Sequence, residues 1–384
     1  MEFFEPSEKI RLMRKKLGVR QSDLVTDNMT MAFISMMENG RRSVSKRSSE
    51  RLVLKFKEIA TNKSLTLDID NEYFSRSAKE DARLHIEKEL IKNNDHTELD
   101  KLTNIAVNFE IYDLLAKIYE MNGEKFLAEK DFVNAFINYN SALGKLQEIR
   151  QNSGQAFLHK QLGVCKERQG EYIEAIYYFK QSIEYSLKES NMLVYFKSSL
   201  NLAIVYAKSA QYSRCIQTVD EKILNAKFKP SKQVLINARM TKANALMELK
   251  DDSALKEYFS LVDEVGDTND LVMSFLYHNI SEFYYKKDAY KKSLEYANKA
   301  HALKNKVNRV ALPNTLNIKG KVFLKLGLVQ EGTMMFDLGA SIAAENKTFD
   351  MLLENYKALT EVYDSKEDLK EVVKKFEKVI GTYK

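Results

Sequence analysis

An all-α fold is predicted, with a small helical head and a long array of repeated helical hairpins. Three observations carry this. Only three of the 384 residues are proline and thirteen are glycine, too few turn formers for a many-stranded sandwich or barrel but suited to long helices on short loops. Beyond about residue 77 the helical pattern repeats at close to 40-residue intervals. The net charge of +6 sits entirely in residues 1–66, which hold fourteen Lys and Arg against eight Asp and Glu, while the rest of the chain balances at 46 of each sign. A basic head on a neutral body points to a polyanion for the head and another task for the body.

Composition narrows the class further. With 44% hydrophobic and 30% charged residues the chain can bury a core and is not globally disordered. No run approaches the roughly 18 apolar residues of a membrane span, and the N-terminal stretch lacks the apolar core of a secretion signal. Cys165 and Cys215 share no short motif, which argues against a disulfide framework or a zinc ribbon and fits a reducing compartment. A cytoplasmic protein without membrane contact is expected.

In the head, residues 7–17 read as a helix entered through Pro6 and closed by Gly18, with Ile10, Met13, Arg14 and Leu17 on one face. A second short helix follows at 20–25. After the polar break Thr26-Asp27-Asn28 comes a third, at 29–38, ending on Asn39-Gly40 in a left-handed exit. A fourth starts at a Ser48 cap and runs through Leu52, Phe56 and Ile59.

Gln21-Ser22-Asp23-Leu24 and the run Phe33-Ile34-Ser35-Met36-Met37-Glu38-Asn39-Gly40-Arg41-Arg42 resemble the helix-turn-helix domain of the Cro/C1 and Xre repressor family, over residues 7 to about 62. The resemblance implies a DNA-binding domain at 1–66 and double-stranded DNA as partner. It implies that Ile34 and Met37 pack inward, that Arg41 and Arg42 reach the phosphate backbone, and that Gln21 bonds DNA from the positive end of the second helix. Thr30, Met31, Ala32, Ser35 and Met36 would enter the major groove. Mostly apolar, they imply contact with thymine methyls, or water-mediated and shape readout. Glu38 and Arg14 stand where the family carries a structural ion pair.

Residues 61–76 lack a sustained helical period and read as a hinge or connector, with 67–76 as the linker and 77–384 as the array. Tyr139, Phe179, Val219, Phe259, Ala297, Phe336 and Phe376 follow one another at 40, 40, 40, 38, 39 and 40 residues. Thirteen residues before them stand Phe126, Lys166, Tyr206, Leu246, Tyr284, Phe323 and Tyr363, mostly aromatic; four before stand Ala135, Ala175, Cys215, Leu255, Ser293, Gly332 and Val372, mostly small. Leu162-Gly163, Gly170-Glu171-Tyr172, Ala175-Ile176 and Phe179, with Asn201-Leu202-Ala203 and Tyr206 after them, resemble the tetratricopeptide repeat. That resemblance implies a right-handed α-solenoid of hairpins, in which small residues let the two helices approach and aromatics fill the space between neighbours. The period exceeds the roughly 34 residues of the simple repeat, so longer helices or loops are expected. Pro230 and Pro313 stand where first helices begin, and a degenerate hairpin at about 77–110 brings the count to seven or eight.

The resemblance places a ligand on the concave face lined by first helices. Outward positions there include Lys160, Lys197, Asn201, Asn237, Asn244, His278, Asn279, Asn314, Asn317 and Lys321. A side-chain amide can donate to one peptide carbonyl and accept from a peptide N–H, so an asparagine-rich face suits a short linear peptide whatever its side chains. Lysines would hold a carboxylate. His159, His278 and His301 lack metal-ligand spacing and read as satisfied surface or groove histidines. No phosphate-cradling loop, nucleophile elbow, zinc-protease motif or paired-carboxylate signature occurs, so neither catalysis nor a cofactor or metal is expected.

A Cro/C1-type head joined to a tetratricopeptide array resembles the peptide-pheromone receptors of Gram-positive bacteria known as the RNPP family, with the Rgg regulators as relatives. This implies a cytoplasmic, homodimeric quorum-sensing transcription regulator whose bound peptide alters DNA binding. The alternatives are a Rap-like protein that dephosphorylates or sequesters a response regulator, and a protein-only scaffold.

Overall fold

The computed structural model describes residues 2–92, 94–362 and 366–381; Tyr363, expected in the aromatic register, lies outside them. The regular elements among the described residues are helices. The chain divides into two compact units, 1–189 and 190–384.

The first unit opens with α1 (Pro6–Lys16), whose first turn holds Pro6 and a Glu5/Glu8 capping box. A 3-10 turn (Gln21–Leu24), α2 (Met31–Glu38) and α3 (Lys46–Asn62) follow. Ile10, Leu24, Ile34, Met37, Leu52 and Phe56 form their shared core. The structure corrects three expectations here. The second helix is only the four-residue 3-10 turn. Met29 stays outside α2, because Thr26 and Met29 exchange both backbone hydrogen bonds, at 3.1 and 3.0 Å. Thr30 is the N-cap of α2, its hydroxyl accepting from the Phe33 N–H at 3.2 Å. The fourth helix is capped by extended Ser45, which accepts from the N–H of Ser48, itself already helical.

The stretch expected as a linker is packed down. Phe74 is fully buried against Phe56 at 5.1 Å, and its N–H donates to Ser49 Oγ at 3.0 Å. Leu67, Ile69 and Tyr73 join the same core. Lys9, 2% exposed, donates to the carbonyls of Tyr73 (3.0 Å) and Arg76 (2.6 Å) and pairs with Asp81 on α4 (Ala78–Leu90). These contacts pack the segment against the head and α4.

The remaining helices pair as hairpins. In the first unit α4 pairs with α5 (His96–Asn108), α6 (Tyr112–Ala128) with α7 (Phe132–Glu148), and α8 (Gln155–Arg168) with α9 (Tyr172–Lys188). The second unit pairs α10 (Met192–Lys208) with α11 (Tyr212–Val219), α12 (Lys232–Glu248) with α13 (Ser253–Val265), and α14 (Asp270–Lys286) with α15 (Tyr290–Val307). It ends with α16 (Leu312–Lys325) and α17 (Val329–Glu345), then α18 (Phe349–Thr360) and α19 (Lys366–Gly381).

The small-and-aromatic register has a direct steric cause. A Cβ on Gly123, Gly163 or Gly320 would fall 2.9, 2.7 or 2.5 Å from the ring of Tyr139, Phe179 or Phe336, so only glycine lets these helix pairs close over their aromatic. In α14 and α15 the same approach is made by serines, Ser281 Oγ donating to the Ser293 carbonyl at 2.9 Å and Ser293 Oγ to the Ser281 carbonyl at 2.8 Å. The fourth unit of the register is displaced by one residue. Ala254 and Tyr258 are buried where the period places Leu255 and Phe259.

Glycine is scarce because other residues fill the left-handed helix exits. Ala210 and Lys250 hold φ of 57° and 61°, at about 1 kcal/mol each. The following N–H groups of Gln211 and Asp251 close the helix ends on Tyr206 and Leu246, at 2.8 and 2.9 Å. Pro313 lies in the first turn of α16, whereas Pro230 precedes the Ser231 cap of α12. Cys165 and Cys215 are free and buried, and burial pushes both thiols up to about 12, so they serve as small core residues.

Candidate functional site

The head presents one helix end and its following loop. Arg14 grips Glu38 through Nη2 at 2.7 Å and Nε at 3.2 Å. Burial works to raise the Glu38 carboxyl, but hydrogen bonds from Arg14 and Gln21 hold it below its ordinary range. This fixes the C-terminal end of α2 against α1. Gln21 donates one amide hydrogen to Glu38 Oε2 at 2.7 Å, which leaves its second amide hydrogen and its carbonyl oxygen for a ligand. Met31, Ala32 and Met36 are exposed on α2, while Ser35 is half-buried and accepts from Asn39 at 3.3 Å. Arg41 and Arg42 are exposed beyond α2. The Arg42 guanidinium lies over the Phe33 ring at 4.4 Å, which steadies it.

In the second unit, first helices carry an amide ladder. Asn244 Oδ1 on α12 accepts from Tyr258 Oη at 2.6 Å and from Asn279 Nδ2 on α14 at 2.9 Å. Half-buried Asn244 keeps its NH2 as donor and Asn279 its carbonyl as acceptor, the complementary pair that one peptide unit requires. Asn279 and Asn317, expected to face outward, are instead buried at 8% and 3% exposure because their amides pack against neighbouring first helices. Further along, Asn317 Nδ2 on α16 lies 3.4 Å from Asn355 Oδ1 on α18. Sequence reasoning missed Asn355, although Asn279, Asn317 and Asn355 succeed one another at intervals of 38 residues.

The other expected positions are less collected. Asn237 accepts from Gln233 on its own helix at 3.0 Å. Asn201, Asn314 and Lys321 are half-buried and Lys197 is exposed. Lys160 belongs to the first unit and stands over Phe157 at 4.6 Å. His278 Nδ1 meets Thr315 Oγ1 at 3.2 Å, and burial, helped by Lys304, pushes its pKa well down.

His159 departs from the expectation of a satisfied histidine. It is 6% exposed, stacks on Tyr185 at 4.9 Å, and neither ring nitrogen has a hydrogen-bond partner. Burial lowers its pKa to about 4. Between that value and the unfolded value of about 6.5 the unfolded chain holds a proton that the folded chain lacks, so stability falls as pH drops through this window, by about 3 kcal/mol in full. In His159→Phe this part of the pH dependence is expected to vanish, and urea unfolding at pH 7 and pH 5 measures it. An unchanged pH slope would show that His159 does not carry it.

Among the described residues no group of His, Cys, Asp and Glu is arranged to hold a metal ion, and no helix is long and apolar enough to cross a membrane. No family model matches the chain, and no curated protein matches it in sequence. Solved structures do. The fold is similar to that of NprR. The apo form of this quorum sensor from B. thuringiensis is 15% identical, with a TM-score of 0.50 over 80% of this chain and 100% of that one. NprR in complex with its cognate peptide NprX is 17% identical, with a TM-score of 0.51 over 76% and 88%. The apo form of RapI is 14% identical, with a TM-score of 0.52 over 96% and 99%. At these identities the likeness is one of fold, an all-helical tetratricopeptide-like α-solenoid.

Proposed function

We propose that the protein is a cytoplasmic, dimeric quorum-sensing regulator that binds DNA through its N-terminal head and a short signalling peptide on the first-helix face of its array. The observation that carries this reading is the Asn244–Asn279 ladder, whose unused donor on half-buried Asn244 and unused acceptor on buried Asn279 match a peptide backbone. NprR, which shares the fold, is described with a cognate peptide. The exposed Arg41 and Arg42 beyond α2, on the basic head, support phosphate contacts. Two heads on a two-fold operator would offset the few contacts that one small head makes. The peptide must favour one arrangement of the array over another; a hundredfold preference corresponds to about 2.7 kcal/mol.

Arg41→Ala is expected to weaken DNA binding across sequences and to reduce the salt slope of affinity by about one unit. Asn244→Ala is expected to weaken the peptide response and spare DNA affinity. Mobility shifts over a salt series, with and without small peptides recovered with the array from its native host, measure both. Loss of the same property in both variants would overturn the division of labour.

A second reading is favoured by one observation: the RapI likeness extends over 96% of the chain, head included. In that reading the head engages a response regulator instead of DNA. Affinity for DNA that does not fall with salt, or no affinity at all, would select it.

A further inference from the structure

Three helix faces in the second unit converge on a group of basic side chains without an acid. Phe275 and His278 lie three residues apart on α14, His301 and Lys304 three apart on α15, and Thr315 and Lys319 four apart on α16, so each pair shares a helix face. The faces meet: His278 contacts Thr315 at 3.2 Å, Lys319 Nζ donates to His301 Nδ1 at 3.3 Å, and the Lys304 ammonium lies 5.2 Å from the centre of the Phe275 ring. Lys304 is only 1% exposed, and neither it nor Lys319 has a carboxylate within ion-pair distance among the described residues. The nearby acids on these helices are engaged elsewhere, Glu282 by Lys286 at 3.3 Å, Asp270 by Lys306 at 2.9 Å and Glu295 by Lys299 at 2.7 Å. Burial lowers Lys304 to about 7 and also lowers Lys319.

With its pKa near 7, Lys304 is poised between amine and ammonium, and its charged form has an aromatic ring but no carboxylate beside it among the described residues. The histidines beside it are held neutral by burial, so they can donate or accept without adding charge. His278 is next in sequence to Asn279 of the amide ladder, and Thr315 is two residues from Asn317. An arriving anion would favour the ammonium form, and the charge-assisted donors then available suit one carried by the ligand of the neighbouring face.

We propose that the Lys304, His278 and Lys319 cluster receives a carboxylate of the bound peptide, either its C-terminal carboxylate or an acidic side chain. This rests on the peptide reading above. The ladder would hold the backbone, and the cluster would fix the register by holding the one anionic group.

The test uses the full chain and two pooled libraries of short random peptides, one with free C-terminal carboxylates and one amidated, with capture read by mass spectrometry. Lys304→Met removes a buried charge and is expected to keep or raise the melting temperature; Lys319→Met is the second variant should the first fold poorly. The expected result is a roughly tenfold preference for free-acid peptides that is lost in the Lys304 variant while residual binding remains. Capture from both libraries, with Asp or Glu enriched at one position in the wild type only, also supports the proposal and assigns the carboxylate to a side chain. Equal capture by wild type and variant, without carboxylate dependence, overturns the proposal and leaves the ladder reading standing. A carboxylate preference that persists in both variants overturns it as well, and capture of no peptide at all overturns both readings.

Discussion

Lys9→Met is expected to destabilise the protein by about 3 kcal/mol, the lower end for removing one partner of a buried ion pair. Lys9 is the single donor to two carbonyls, Tyr73 and Arg76, and the partner of Asp81 on α4. Methionine fills much of the same volume but leaves both carbonyls without that donor. Asp81 keeps the Arg76 guanidinium at 2.6 Å, which moderates the loss. Urea unfolding measures the effect, and a change below about 1 kcal/mol would mean that the joint does not depend on this lysine. Lys9 and Phe74 join residues 67–76 to the head core, and Lys9 joins that segment to α4.

Phe336→Ala is expected to remove about 3–5 kcal/mol, and Gly320→Ala about 1–3 kcal/mol. The ring is fully buried, and a Cβ at position 320 would meet it at 2.5 Å. The two changes oppose each other in volume, since the alanine methyl at 320 occupies space the lost ring vacates. The double variant is therefore expected to be more stable than the sum of the singles by about 1 kcal/mol or more. Strict additivity would show that Gly320 is not there to admit the ring.

The site was partly legible from sequence. The Arg14–Glu38 pair follows from the resemblance of the head to a known helix-turn-helix domain, and the asparagines of the first helices from the period of the array. The partners of those asparagines do not. Tyr258 joins Asn244 only because the buried positions of α13 fall one residue ahead of the 40-residue period. Asn355 is the third member of a 38-residue series that the aromatic register, with its 38- to 40-residue steps, does not mark. Lys304 gave no signal, since a lysine in a polar-looking stretch of α15 reads as a solvated face until the helices beside it are known. His159 looked like a satisfied residue for the same reason: sequence carries no information on whether a ring nitrogen finds a partner.

By itself the sequence determined the helices, the hairpin period and the concentration of positive charge in the head, because each is set by local propensity, by spacing along one chain or by composition. Only the tertiary structure decided that residues 67–76 pack against the head core, that Lys9 and Lys304 are buried with opposite outcomes, one paired and one without an acid among the described residues, and that Asn244 and Asn279 bond to each other. These depend on which faces of different helices meet and at what depth. One residue of helical winding turns a side chain by about 100°, which is enough to change its partner from solvent to core.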